Sequence, residues 1–113
     1  MTQITQDLIK QYVSALKNIY GKHVKQIILY GSYARGDFHK NSDIDVMVVV
    51  DLPDTQIDSY SDGLSELGFE YNVKHDIWFM PIVKNVQHFG QWNTVYSFYS
   101  NVAKEGITLY ESA

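Results

Sequence analysis

The chain contains no cysteine in its 113 residues. Disulfides and thiolate metal sites are thereby excluded, and a reducing cytoplasm is the compartment this composition suits. Long apolar runs are missing as well. The longest, Val46 to Val50, falls far short of the roughly 20 residues that a membrane-spanning helix needs, and Met1-Thr2-Gln3 is not the opening expected of a signal peptide. Positive charge is scarce: nine lysines and arginines stand against thirteen aspartates and glutamates, for a net charge of −4, and Arg35 is the only arginine. Such a chain is poorly equipped to grip a polyanion, so nucleic acid is not expected as a direct ligand unless a partner supplies the basic surface. No internal repeat and no low-complexity tract is visible. The Gly-x-Gly-x-x-Gly turn of dinucleotide-binding folds is absent too, since only Gly31 and Gly36 follow the first strand. With 45% hydrophobic and 19% charged residues, the chain reads as one globular domain over 1–113, large enough for a real core.

The informative stretch is Val24 to Val50, VKQIILYGSYARGDFHKNSDIDVMVVV. Val24 to Tyr30 is a β-branched, apolar run ended by Gly31, which is the pattern of a buried strand. Gly31-Ser32 then opens a short helix. A glycine at a strand-to-helix turn lets the backbone approach a ligand closely and leaves amide N–H groups available, a geometry suited to phosphate. Ten residues separate Ser32 from Asp43, and one residue separates Asp43 from Asp45. Residues two apart on a strand point the same way, so the two carboxylates share a face. Side by side they repel unless a cation lies between them, and Mg²⁺ favours one or two carboxylates together with substrate phosphates. A phosphate turn facing a carboxylate pair is equipment for phosphoryl or nucleotidyl transfer. Arg35 is placed to hold a phosphate with its guanidinium, the structural alternative being an ion pair with Asp37 or Asp43.

Gly31-Ser32, ten residues, then Asp43-Ile44-Asp45 resembles the signature of the DNA polymerase beta-type nucleotidyltransferase superfamily. The fuller string GSYARGDFHKNSDIDVMVVV, with Ala34-Arg35-Gly36 and Ser42, is similar to its minimal nucleotidyltransferase branch. The resemblance implies an α/β (α+β) fold with a small mixed sheet flanked by helices. It implies that Gly31, Ser32, Arg35 and Gly36 bind ATP or another nucleoside triphosphate, and that Asp43 and Asp45 ligate Mg²⁺, with two ions expected. It also implies a third acid on a neighbouring strand. Asp76, directly before the apolar run Ile77-Trp78-Phe79-Met80, takes that role as metal ligand and proton acceptor, with Glu70 as its rival. Members of this branch are encoded beside helical HEPN-type proteins. In such pairs the enzyme acts as an antitoxin that adenylylates a HEPN toxin, so a HEPN-type partner and a protein hydroxyl acceptor are implied here. A small-molecule nucleotidyltransferase of the aminoglycoside-modifying kind usually carries an added helical domain that this chain lacks. A non-catalytic antitoxin acting by occupancy is the alternative outside enzymes.

The rest of the chain reads as scaffold. Ile4 to Tyr20 has apolar residues at helical spacing and Gly21 as its stop. A second helix is expected from an Asp54 N-cap to a stop at Gly68, followed by a strand over Glu70 to Met80 ended by Pro81. Trp92 to Lys104 is expected to be helical, with Gly106 as its stop and Ile107 to Tyr110 as a short strand or tail. The aromatics Trp92, Tyr96 and Tyr99 offer a possible self-association surface, core packing being the plainer use.

Overall fold

A computed structural model describes residues 1–92 and 97–112. Helix α1 (Gln3–Tyr20) begins at Thr2, whose hydroxyl accepts the Thr5 N–H, and ends at Gly21, whose φ of 59° no side chain takes easily. Strand β1 (Val24–Tyr30) follows, then the single turn α2 (Ser32–Arg35) and strand β2 (Ile44–Val50). A short turn α3 (Asp54–Ile57) leads through a 3₁₀ turn (Asp58–Tyr60) into helix α4 (Ser61–His75). Strand β3 (Phe79–Asn85), helix α5 (Val86–Trp92), helix α6 (Ser97–Glu105) and strand β4 (Ile107–Glu111) complete the order. The sheet order is β3-β2-β1-β4. β1 runs antiparallel to both β2 and β4, and β2 runs parallel to β3, so the sheet is mixed as the resemblance implies.

Alternation along β2 divides the molecule. Ile44, Val46, Val48 and Val50 point into a core shared with Leu8, Tyr12 and Leu16 of α1. Tyr12 lies flat on Phe79, with ring centroids 3.8 Å apart, and Tyr71 of α4 meets both rings edge-on. Met47 and Val49 point the other way, into a smaller core with Ile28, Phe89, Tyr99 and Val102 under α5 and α6. Asp45 lies on this second face.

The segment after β2 departs from expectation. α4 runs through Gly68 to His75, where Gly68 was expected to stop a helix and Glu70 to start a strand. The alternation of Phe69, Tyr71 and Val73 suggests a strand, but only Tyr71 is buried; Phe69 and Val73 are 66% and 65% exposed. Leu64, Leu67 and Tyr71 form the face that packs, and Lys74 donates to Glu70 one turn away at 2.8 Å. Pro81 lies inside β3 instead of ending it, which an edge strand permits because no neighbour needs its missing N–H. Asp54 is the first residue of α3, with Pro53 in the cap position. Among the described residues the C-terminal helix spans Ser97–Glu105 and Trp92 ends α5; Val95 and Tyr96 lie outside the described residues. Ile107 to Tyr110 does form a strand, hydrogen-bonded to β1.

Candidate active site

The site is built where β1 ends and β2 begins. Tyr30, the last residue of β1, pairs with Asp45, the second of β2, so the Gly31 turn lies directly beside the acidic strand. Gly31 adopts φ 73° and caps α2, its carbonyl accepting the N–H groups of Ala34 and Arg35. A Cβ at Gly31 would run into Oδ2 of Asp45. Glycine is therefore required twice, by conformation and by contact. Ser42 fixes the loop entering β2: its hydroxyl accepts the His39 N–H at 2.8 Å, and its own N–H returns to the His39 carbonyl. On the far side of Asp43, Ile44 donates its N–H to the Trp78 carbonyl at 2.8 Å, which ties β2 to β3.

A cavity of about 370 Å³ opens above this junction. Gly31, Ser32, Arg35 and Asp45 line one side, and Phe98, Asn101 and Glu105 of α6 line the other. Burial is the main cause that raises the Asp45 carboxyl above the ordinary carboxylate range; the Asp43 charge adds to it, and Arg35 partly offsets both. Burial and the Asp45 charge push the Tyr30 phenol up to about 12, so it remains protonated beside the acid. Arg35 is half-exposed and bridges two acids, its Nε lying 3.3 Å from Asp37 and its Nη1 4.0 Å from Glu105. It thus makes the Asp37 pair foreseen as its structural role while also lining the cavity. Gly36 closes α2 at φ 87°, its N–H donating to the Ser32 carbonyl, and does not line the cavity.

Asp76 is placed differently from expectation. The strand beside the Asp-x-Asp strand is indeed the next one in sequence, but it begins at Phe79, and Asp45 pairs with Met80. Asp76 instead ends α4 in the left-handed conformation, φ 53°, donating its N–H to the Asn72 carbonyl. It lines a separate cavity of about 520 Å³, which it shares with Ser42, Lys40, His75 and Trp78. Among the described residues no three acidic, histidine or cysteine side chains converge on a metal position. Asp43 and Asp45, two acids with one arginine to offset them, fit a divalent cation whose remaining ligands come from substrate phosphates. Glu70 pairs with Lys74 on α4 and lines neither cavity.

Phe98, Asn101 and Glu105 were not apparent as site residues from sequence. The signal available is their three-, four- and seven-residue spacing, which puts them on one helix face beside buried Val102. No helix among the described residues is long and apolar enough to cross a membrane.

Comparison with known proteins finds relatives over most of the chain. The nucleotidyltransferase domain family matches residues 9–103. The chain is 37% identical over 102 residues to the Methanocaldococcus jannaschii protein named "Putative protein adenylyltransferase MJ0604", covering 90% of this chain and 94% of that one. It is 31% identical over 77 residues to "Putative protein adenylyltransferase MJ0141" of the same organism, covering 68% and 76%. Among solved structures, a "putative nucleotidyltransferase" from Sulfolobus solfataricus superposes with a TM-score of 0.61 at 18% identity, covering 93% of this chain and 78% of that one. The toxin-antitoxin MntA-HpeT, in a mutant form, gives a TM-score of 0.54 at 18% identity, covering 91% and 73%. A toxin-antitoxin structure with AMP-PNP gives 0.53 at 20%, with the same coverage. At such identities the structural likeness concerns the fold.

Proposed function

The chain belongs to the nucleotidyltransferase domain family, and from that premise we propose that it transfers AMP from ATP to a hydroxyl of a partner protein in the cytoplasm. The observation that carries the reading is the fit of Gly31 against Asp45, which brings a side-chain-free turn and the second acid of Asp43-Ile44-Asp45 to one cavity. The names of the M. jannaschii relatives support a protein acceptor. The toxin-antitoxin likeness supports a partner in trans, which we take to be a HEPN-type toxin with this chain as its antitoxin.

In this mechanism the triphosphate lies against Gly31, whose missing Cβ lets the backbone close on it. The Ser32 hydroxyl donates to a phosphate oxygen. Arg35 exchanges its exposed carboxylate partners for phosphate, a trade its half-exposed position makes inexpensive. Asp43 and Asp45 would hold Mg²⁺, which when bound neutralises charge on the triphosphate and the departing pyrophosphate. The acceptor oxygen attacks the α-phosphorus, forming an O–P bond as the bond to the β-phosphate oxygen breaks. AMP stays on the acceptor and pyrophosphate leaves. Asp76 is assigned to the acceptor side, taking the hydroxyl proton from the cavity it shares with Ser42. Asp43 and Asp45 suit one ion; the second ion implied by the resemblance would need Asp76, so the mechanism rests on one.

The test is label transfer from ATP tagged at its α-phosphate, with Mg²⁺ and extract of the source cell, comparing wild type with Asp43→Asn/Asp45→Asn. A labelled protein band seen only with wild type is the expected result. Label confined to a small molecule would replace the protein acceptor with a metabolite or drug. No mutant-sensitive label from any nucleoside triphosphate would leave a binding module in place of an enzyme.

A further inference from the structure

We propose that the apolar face made by α4 and the start of β3 is covered by a second copy of this chain, packed about a twofold axis with the two α4 helices antiparallel. Of the eight large apolar side chains exposed among the described residues, four gather here. Phe69 and Val73 stand one turn apart on the solvent side of α4. Trp78 and Met80, 52% and 46% exposed, flank Phe79 where β3 begins. Between helix and strand lies a groove of about 390 Å³, lined by Leu64, Gly68, Phe69, Trp78, Met80 and Pro81 among others. No charged side chain lines it. A contiguous apolar face of this kind marks an association surface.

Size, shape and charge select the occupant. The exposed parts of the four side chains amount to roughly 450 Å², over half of the roughly 800 Å² that each partner of a standard interface buries. With the residues around them, two copies reach the low end of specific interfaces, about 1,200 Å² in total, so the dimer is reversible. A twofold interface must complement itself. This face does, because the ridge of Phe69 and Val73 stands beside the groove, and each copy's ridge can enter the other's groove. The groove offers nothing to a strongly charged partner. Along α4 the charges are polarised, with Asp62 in the first turn and Lys74 in the last. Antiparallel helices set each acidic start against the other copy's basic end and oppose their dipoles; parallel helices would set like against like.

Strand addition is not the mode of contact. β3 is an edge strand, but Pro81 inside it has no N–H to offer a neighbour. The contact therefore falls to side chains. Trp78 also lines the cavity that holds Asp76, so the interface reaches the lip of that cavity. The inference does not depend on which reaction the chain catalyses.

Sedimentation velocity of the full chain between about 1 and 200 µM is the test. Wild type is expected to pass reversibly from monomer to dimer across that range. Phe69→Glu puts a charge into the face at a position already open to water, and should weaken the dimer at least about tenfold. Trp78→Ala should do the same. Far-UV circular dichroism checks the fold of each variant; if Trp78→Ala fails to fold, Phe69→Glu decides. Asp62→Lys should weaken the dimer by about threefold at low salt and leave it unchanged at high salt. A chain that stays monomeric at about 200 µM overturns the inference and leaves the face to a different protein. A dimer unmoved by both Phe69→Glu and Trp78→Ala lies on another surface and overturns it as well. Growth beyond the dimer with concentration marks a head-to-tail contact and overturns the twofold axis. An Asp62→Lys dimer as tight as wild type at low salt overturns the antiparallel arrangement.

Discussion

The two faces of the sheet are built for different work, though the same strands make both. On the face toward α1 and α4, β2 contributes Ile44, Val46, Val48 and Val50, all essentially sealed from solvent. On the opposite face the same strand contributes Val49, Met47 and then Asp45, where the packing under α5 and α6 gives way to the cavity. A period of two thus lets one seven-residue strand hold the core with one set of side chains and present chemistry with the other. Stability and activity should accordingly be separable by mutation, face by face.

The largest effect should come from the sealed face. Leu16→Ala or Tyr12→Ala removes a fully buried side chain and should cost about 3–5 kcal/mol in urea unfolding. That is a large share of the 5–15 kcal/mol or so that a domain usually has. Val102→Ala, on the face of the site, should cost about 1.5 kcal/mol for its two methyl groups. Equal losses from the two faces would break the comparison.

Gly31→Ala lies on the boundary between them. It forces a side chain at φ 73° and into Asp45, so it should cost about 1–2 kcal/mol in unfolding and lower label transfer at least tenfold. Wild-type transfer in this variant would show that the close approach is not needed for activity.

A smaller, opposite effect is expected from Tyr12→Phe. The Tyr12 hydroxyl is buried without a hydrogen-bond partner among the described residues, while its ring is stacked on Phe79. Removing only the oxygen should stabilise the fold by about 1 kcal/mol and raise the melting temperature by about 4 °C. A loss of stability would mean that the hydroxyl has a partner, such as a buried water.

The smallest effect concerns pH. Burial raises the folded carboxyl of Asp45 above its unfolded value. Its favourable contribution is therefore fully present below the unfolded value and disappears as pH rises through the folded one, leaving an ionised acid that disfavours the fold at neutral pH. Asp45→Asn should melt no lower than wild type at pH 7 and lose this part of the pH dependence. Mg²⁺ with ATP should raise the melting temperature of wild type but not of Asp43→Asn/Asp45→Asn. A lower melting point for Asp45→Asn would mark that acid as part of the scaffold.

Legibility from sequence followed locality. α1, β1, the Gly31 turn and β2 were all plain because each is specified by residues within a few positions: a stop at Gly21, a β-branched run, a glycine, and a period-two strand. The segment 69–76 was not, because its apolar residues advertise a strand while Phe69 and Val73 lie on the solvent side of α4, held there by Tyr71 packing against α1 and β3. That preference is tertiary and leaves no local mark. β3 therefore starts several residues beyond the point the apolar pattern implies, and Asp76 caps α4 instead of lying on the strand. Half of the cavity wall was hidden for a similar reason. Phe98 reads as core from its spacing, and only the packing of α6 across Asp45 turns it toward the site.

The most direct test of the division between faces is to measure transfer and stability together on Asp43→Asn/Asp45→Asn. Protein labelling by α-tagged ATP should vanish while the melting temperature at neutral pH stays at or above that of wild type. Labelling that survives the double substitution, or a melting point that falls with activity, would contradict the account.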